Sequence, residues 1–229
     1  MQIQDSVVMV TGASDDGGMK LIEELLRRGA RKIYAGSATL SHVGGWPDNV
    51  QNLDVNITDP HQVREAARIA DDVTLLINNI GLNKPPIAFA STDPKSGPYQ
   101  AMDINYFGTL GVCLAFAPTL IRHRGSIINV LSFLAYSDQM TSGSSCIEKI
   151  PGMLLTQALQ SELKNKGVNV VGVLPRNMRP QSRSSTAYHD LLSPEVIAES
   201  IIDAAEKGSN HFYRTLLVPS KVSGIATHN

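Results

Sequence analysis

Stretches of apolar, often β-branched residues alternate along this chain with segments whose apolar residues recur at a helical period. This alternation is typical of repeated strand–helix–strand units around a parallel sheet, and several of the apolar runs are continuous, as expected for strands covered on both faces. We therefore predict an α/β fold with a doubly wound, mainly parallel sheet and helices on both faces. The predicted strands are Ser6 to Val10, Lys32 to Ala35, Val50 to Leu53, Val73 to Asn78, Ser126 to Leu131, Val168 to Leu174 and Thr215 to Val218.

Capping and closing residues mark the ends of the helices between these strands. Asp59-Pro60 and Ser193-Pro194 each place a capping side chain before a proline at the first helical position. Gly29 and Gly167 follow two helical segments as closing glycines do. The predicted helices are about Gly18 to Arg28, Pro60 to Ala70, Pro98 to Arg122, Pro151 to Lys164 and Pro194 to Lys207.

Two long loops, Asn83 to Ser96 and Arg176 to Asp190, each follow the carboxyl end of a predicted strand. Ligands bind at that edge of an open α/β sheet. No internal repeat or shift in composition divides the chain, so residues 1–229 are predicted to form one domain.

The balance of charge argues against polyanionic partners. The chain has 20 Lys and Arg residues against 21 Asp and Glu residues, which gives no long-range field favouring nucleic acid or a membrane surface. Cys113 and Cys146 lack the spacing of a metal site or a disulfide framework, so no metal is expected. The chain enters a strand directly, and no apolar stretch is expected to reach membrane-spanning length. We expect a cytoplasmic protein that acts on a small molecule.

The segment VVMVTGASDDGG, residues 7–18, joins the first strand to the first helix, where a glycine-rich turn would bring a pyrophosphate to the helix N-terminus. With this segment the chain resembles the short-chain dehydrogenase/reductase family. The resemblance continues in order through Leu53-Asp54-Val55, Asn78-Asn79-Ile80-Gly81, DINYFGTL and SIINVLS. It implies a Rossmann-type sheet of seven strands in the order 3-2-1-4-5-6-7. By resemblance, the cofactor positions are Gly12, Ser14, Asp16, Gly18, Asp54, Asn79 and Gly81, and the catalytic positions include Asn105, Ser132 and Lys149.

Several residues at the implied cofactor site depart from the family pattern. Asp16 stands where the family has the middle glycine of its phosphate loop, and Asp15 precedes it. Two carboxylates facing a pyrophosphate oppose its binding, unless the loop is shifted by one residue so that Gly17 and Gly18 take over. The end of the second strand, residues 35–38, carries neither the acid that reads a free ribose hydroxyl nor the arginine that reads a 2′-phosphate. Ile80 adds bulk where the family has alanine, although simple repacking also explains it.

The catalytic tyrosine of the family is replaced by Ser145, which lies thirteen residues after Ser132 and four before Lys149. An aliphatic hydroxyl has a pKa far above that of a phenol, so Ser145 is not a matched proton donor near neutrality. Pro151 falls within the family's helix, so Ser145 and Lys149 need not share a helical face, and Lys149 is alternatively a solvated surface residue.

Three functional hypotheses remain. The leading one is a small-molecule enzyme or binder that has lost standard hydride transfer, binds NAD(P) weakly or not at all, and performs isomerisation, elimination or cyclisation. The alternatives are an NAD(P)-dependent oxidoreductase in which Tyr136 or a water replaces the phenol, and a silent binding scaffold. The pocket residues available to each are Asn105, Ser132, Tyr136, Ser145 and Lys149.

Self-association as a homodimer or homotetramer is also implied by the resemblance. The helices that begin at Pro98 and Pro151 would form a four-helix interface. Leu110 with Leu114, and Leu154 with Ala158, are apolar pairs four residues apart that would lie on it, unless they face the sheet.

Finally, the loop charges suggest a closed groove. Arg176 stands where the family has the glycine of a Pro-Gly turn, and Arg179 follows it. Asp15 or Asp16 would pair with one of these arginines across the cleft; the alternative is that all four side chains point to solvent.

Overall fold

The computed structural model describes residues 1–39, 45–79, 98–131, 150–175, 193–207 and 212–214. They form a seven-stranded sheet in the order β3-β2-β1-β4-β5-β6-β7 with every pairing parallel, which confirms the predicted topology. The strands are β1 (Val7–Thr11), β2 (Lys32–Ser37), β3 (Val50–Asp54), β4 (Leu75–Asn78), β5 (Ser126–Val130), β6 (Asn169–Leu174) and β7 (Phe212–Arg214).

Each central strand is apolar because both of its faces are covered. Every residue of β1 is buried, and so is every residue of β4. The helices over residues 16–27 and 194–207 pack on one face of the sheet, and the helices over residues 60–69, 109–123 and 150–163 pack on the other. The strand bounds differ from the prediction by one or two residues at most ends, and β7 lies just ahead of the predicted Thr215 to Val218, which are outside the described residues.

The helices begin where capping side chains place them. Asp59 accepts hydrogen bonds from the backbone N–H groups of His61 and Gln62 at 2.8 and 3.4 Å and starts a helix at Pro60, as predicted. Gly29 and Gly167 adopt the left-handed conformation expected of closing residues. The α-helices are α1 (Asp16–Arg27), α2 (Pro60–Ile69), α3 (Pro98–Met102), α4 (Thr109–His123), α5 (Ile150–Leu163) and α6 (Pro194–Lys207).

The predicted single helix from Pro98 to Arg122 is not one α-helix. The chain passes from α3 through a π-helical turn, Asp103–Gly108, before α4 begins. Likewise, α1 begins at Asp16, two residues ahead of the predicted Gly18, because the side chain of Asp15 caps it. The helix predicted from Pro151 is described from Ile150, and Pro151 falls in its first described turn, where proline is tolerated. Ser145 and Lys149 lie outside the described residues, so their placement on one helical face stays untested.

The helical stretch Asp103–His123 is long and apolar enough to cross a membrane by length and composition, so the expectation that no stretch reaches that length is wrong. Its buried side chains, however, belong to the core: Cys113, Phe116 and Leu120 pack beneath the sheet with at most 1% of their surface exposed. A core helix of a globular protein passes the same test of length and composition.

Candidate dinucleotide site

The turn between β1 and α1 is built on two glycines. Gly12 has a φ of 68°, in the left-handed region that favours glycine. A Cβ atom on Gly18 would lie 2.1 Å from the Gly12 carbonyl oxygen and 2.8 Å from the Ala13 Cα, so no side chain fits there. This is the close packing of helix against strand that the third glycine of a dinucleotide-binding turn provides. Both registers considered for this loop use Gly18, and in the unshifted one Asp16 occupies the position of the middle glycine.

Asn79, just beyond the end of β4, ties this turn to the sheet. Its side-chain amide donates to the Gly12 carbonyl at 3.4 Å and to the Asp15 carboxylate at 3.3 Å. The Ala13 backbone N–H also donates to the carbonyl of Gly36 in β2, at 3.1 Å. The predicted cofactor residues Gly12, Gly18 and Asn79 therefore meet at the carboxyl edge of the sheet.

Asp15 does not stand free in the cleft. Its carboxylate accepts a 2.6 Å hydrogen bond from the Gly18 backbone N–H, which makes Asp15 the N-cap of α1. Desolvation by the surrounding protein raises the pKa of Asp15, and the charge of Asp16 adds to this, while the hydrogen bonds from Gly18 and Asn79 act in the opposite direction. More than a third of the residue surface is still open to solvent, so the carboxylate is crowded but remains screened.

Asp16 is the first residue of α1 and is exposed. A carboxylate at this point stabilises the helix, because the amino end of a helix carries a partial positive charge. The two acids therefore supply with side chains the negative charge that a bound pyrophosphate would supply at the same helix end.

The hydroxyls of Ser14 and Ser37 meet beside this turn at the carboxyl end of β2. Their oxygens are 2.7 Å apart, and the Ser37 oxygen also lies 3.1 Å from both the backbone nitrogen and the carbonyl oxygen of Thr39. Asp54, in register with Ser37 on the edge strand β3, is exposed next to them. Ser14 and Asp54 were predicted as cofactor residues, whereas Ser37 was seen only as part of an uncharged strand end.

Asn105 lies in the π-helical turn between α3 and α4. Its side-chain oxygen is buried and has no hydrogen-bond partner among the described residues. The π-turn faces α5, because a Cβ on Gly152 would be 3.9 Å from the Asn105 carbonyl oxygen. π-Helical turns are frequent at functional sites, and a buried acceptor without a partner needs a donor from elsewhere.

A chain of buried amide and hydroxyl groups, missed in the sequence, runs under this region. The Asn78 amide donates to the Asn129 side-chain oxygen at 2.8 Å, and the Asn129 amide donates to the Thr156 hydroxyl at 2.9 Å. Thr156 donates in turn to the Gly152 carbonyl at 2.8 Å. The sequence feature that could have revealed this chain is Asn129, a polar residue within the apolar run SIINV. Through its two hydrogen bonds, Asn129 links the ends of β4 and β5 to α5.

The remaining predicted site residues lie outside the described residues. They are the catalytic positions Ser132, Tyr136, Ser145 and Lys149, the cofactor position Gly81 with its neighbour Ile80, and the loop arginines Arg176 and Arg179. Pairing of Asp15 or Asp16 with these arginines therefore stays a prediction. Asp15 already has hydrogen-bond donors on its own side of the cleft, in Gly18 and Asn79.

Comparison with known proteins identifies the class. The short chain dehydrogenase family matches residues 6–189, and this chain belongs to that family. A short chain dehydrogenase of Burkholderia cenocepacia, solved in complex with NADP, is 36% identical with a TM-score of 0.84, over 93% of this chain and 89% of that one.

Curated relatives are more distant. An uncharacterized oxidoreductase of Staphylococcus saprophyticus is 28% identical over 92% of this chain and 95% of its own length. Estradiol 17-beta-dehydrogenase 2 of Mus musculus is 25% identical over 96% of this chain, which spans 61% of the mouse protein. These similarities favour the oxidoreductase hypothesis over the non-redox hypothesis, which the sequence alone had placed first.

Proposed function

We propose that this chain is a short-chain oxidoreductase that binds a nicotinamide dinucleotide and replaces the family's tyrosine with another proton donor. The observation that carries the proposal is the backbone of the β1–α1 turn. Gly12 is in the left-handed conformation, and a Cβ on Gly18 would lie 2.1 Å from the Gly12 carbonyl oxygen, as expected of the glycines in a dinucleotide-binding turn. The Asn79 amide holds this frame to the sheet through the Gly12 carbonyl.

The described residues fit a dinucleotide in shape, while their charge weakens its binding. Gly18 and the amino end of α1 would hold the pyrophosphate, and Ser14, Ser37 and Asp54 would lie on the adenosine side. When bound, the nicotinamide supplies or accepts a hydride. Asp15 and Asp16 reduce the affinity through like charge, and the Asp15 carboxylate already uses the Gly18 N–H.

The chain's own residues must position the substrate and move a proton. Asn105 offers a buried acceptor to which no described residue donates, and such an acceptor suits a substrate hydroxyl or a water molecule. The chain Asn78–Asn129–Thr156 fixes the carboxyl ends of β4 and β5 against α5, so the segment that continues to Ser132 starts from a rigid point. Ser145 can pass a proton on but is poorly matched to donate one, which leaves Tyr136, Lys149 or water as the source.

Ser145→Tyr tests this proposal directly, because it restores the Tyr-x-x-x-Lys spacing with Lys149. With NADH or NADPH and a panel of small activated aldehydes and diketones, kcat should rise about 10²-fold or more, the range of a positioned general acid. Ser145→Phe is the matched control, since it adds the ring without the hydroxyl. Equal rates for the two variants, or no dinucleotide binding by the unmodified chain, would count against an oxidoreductase.

A second copy of this chain is the partner that we propose. Leu114 and Leu154 are 62% and 60% exposed, and Ala158 is exposed four residues after Leu154, so these side chains do not face the sheet. Leu110 is only partly exposed and packs against the core. Phe107 in the π-turn, 57% exposed, adds to the apolar surface.

Light scattering should therefore show a dimer or tetramer. Leu114→Glu should shift it toward monomer, because burying an unpaired charge at an interface is costly. Ile69→Glu, which changes an exposed apolar residue on α2 and not on α4 or α5, is the control. A monomer at micromolar concentration before any substitution would contradict the proposal.

The buried free thiol of Cys113 supports a reducing compartment such as the cytoplasm.

A further inference from the structure

The corner formed by the β1–α1 turn and the carboxyl ends of β2 and β3 contains acids and hydroxyls. Asp15 and Asp16 lie on the turn, and Asp54 lies at the end of β3. Between them, Ser37 is 5% exposed and forms the hydroxyl contact with Ser14. In a dinucleotide-binding fold, this is the corner that reads the adenosine ribose.

No cation balances these acids in the adjoining sequence. From Ile33 to Val63 the chain has no Lys or Arg, and the turn over residues 11–19 has none either. Lys20 follows on α1, but its ammonium group is paired with Glu23 at 2.7 Å and with Glu195 at 3.5 Å.

The Ser37 hydroxyl is also occupied. It has one hydrogen, which can go to Ser14 or to the Thr39 carbonyl, and its oxygen accepts from the Thr39 N–H. To hold a phosphate, Ser37 would have to give up contacts within the protein. A neutral ribose hydroxyl makes no such demand, because it donates to a carboxylate or accepts from the Ser14 hydroxyl.

We propose that this acidic, hydroxyl-lined corner selects a dinucleotide with a free 2′-hydroxyl, so that the chain binds NAD(H) in preference to NADP(H). The inference rests on the proposed function. A 2′-phosphate carries a charge of about −1.5 to −2 at neutral pH and would meet these carboxylates, while residues 11–19 and 33–63 supply no guanidinium or ammonium to offset the charge. The Burkholderia cenocepacia relative, whose structure contains NADP, therefore differs from this chain in cofactor choice.

Titration of the purified chain with NADH and NADPH, followed by nicotinamide fluorescence at one ionic strength, tests the selection without relying on turnover. NADH should bind roughly tenfold or more tightly than NADPH, the effect of one uncompensated charge contact. Equal affinity, or tighter NADPH binding, would overturn the selection and leave the proposed function standing. No binding of either at millimolar concentration would overturn both.

Ala38→Arg tests the cause. Ala38 follows β2 directly and is exposed, so a longer side chain has room to reach the corner. The arginine should raise NADPH affinity about tenfold and change NADH affinity little, because it supplies the missing cation. Ala38→Gln is the matched control, because glutamine adds a long polar side chain without a charge. It should leave the ratio of NADH affinity to NADPH affinity unchanged. If Ala38→Gln changes the ratio as much as Ala38→Arg does, the explanation by charge is wrong.

Discussion

The backbone of the β1–α1 turn keeps the family pattern, whereas the side chains on its rim, Asp15 and Asp16, depart from it. The backbone keeps the close approach of Gly18 to Gly12 and the Asn79 hydrogen bond that the family fold requires. The rim carries Asp15 and Asp16, where the family has a polar or basic residue and a glycine. Steric overlap at 2.1 Å cannot be relieved by solvent, whereas a carboxylate can find hydrogen bonds and water. The frame is therefore the less replaceable part, and the rim is where binding can be tuned.

The largest effect should come from breaking the frame with Gly18→Ala. The added Cβ would meet the backbone at Gly12 and Ala13, so the turn must shift, at a cost near the upper end of about 1–3 kcal/mol. Dinucleotide affinity should fall with it. Urea unfolding monitors the first effect and fluorescence titration the second.

Gly111→Ala is the control for this substitution. Gly111 lies within α4 and has nothing within 4 Å of its Cβ position, so alanine there should stabilise the helix by up to about 1 kcal/mol. Equal unfolding midpoints for the two variants would show that the frame is not sterically determined.

A smaller loss should follow Asn129→Ala, which interrupts the buried chain beside the frame. Asn129 is 2% exposed, and its removal leaves the Asn78 amide and the Thr156 hydroxyl without this partner, at about 1–3 kcal/mol. In a double-mutant cycle with Thr156→Val, measured by urea unfolding, the combined loss should be less than the sum of the single losses. Strict additivity would mean that the two groups do not act together.

The smallest effect on stability should come from the rim. Asp15→Asn keeps a capping oxygen for the Gly18 N–H and removes a charge that the folded chain holds unfavourably. Because the folded-state pKa of Asp15 is raised above its ordinary value near 3.8, the folded chain binds that proton more tightly than the unfolded chain. The stability that this tighter proton binding gives the folded chain is fully present at a pH below the ordinary pKa of Asp15. It is lost as the pH rises through the folded-state pKa of Asp15.

Asp15→Asn should therefore equal or slightly exceed the parent in stability at neutral pH and bind NADH more tightly. NADH affinity of the parent should fall as the pH rises through the pKa of Asp15, and the variant should lose that dependence. Asp16→Asn removes one negative charge at the next position and leaves Asp15 in place. It should therefore raise NADH affinity and keep the pH dependence of that affinity. A pH profile that is the same in all three proteins would rule out Asp15 as the group responsible.

Local sequence signals were sufficient where a structure depends on neighbours along the chain. Asp59 and Pro60 predicted the start of α2, and the apolar runs predicted the parallel sheet, whose strand order was implied by the family resemblance. They failed at residues 103–108, where the apolar period continues without interruption but the backbone widens into a π-turn. Asn105 was predicted in an α-helix and lies in this π-turn, and the local sequence could not show that its oxygen is buried with no donor among the described residues.

The sequence by itself determined the fold class, the position of the glycine turn and the residue types on its rim, because periodicity and caps are local properties of the chain. The tertiary structure decided what those residues do. Asp15 was predicted to face a pyrophosphate, but it caps α1 locally through the Gly18 N–H, and the tertiary structure adds the Asn79 amide from 64 residues away. Ser14 and Ser37 are 23 residues apart, and only the parallel pairing of β1 with β2 brings their hydroxyls within 2.7 Å. Hydrogen bonds between distant segments depend on the packing of the whole sheet, and no local pattern contains that information.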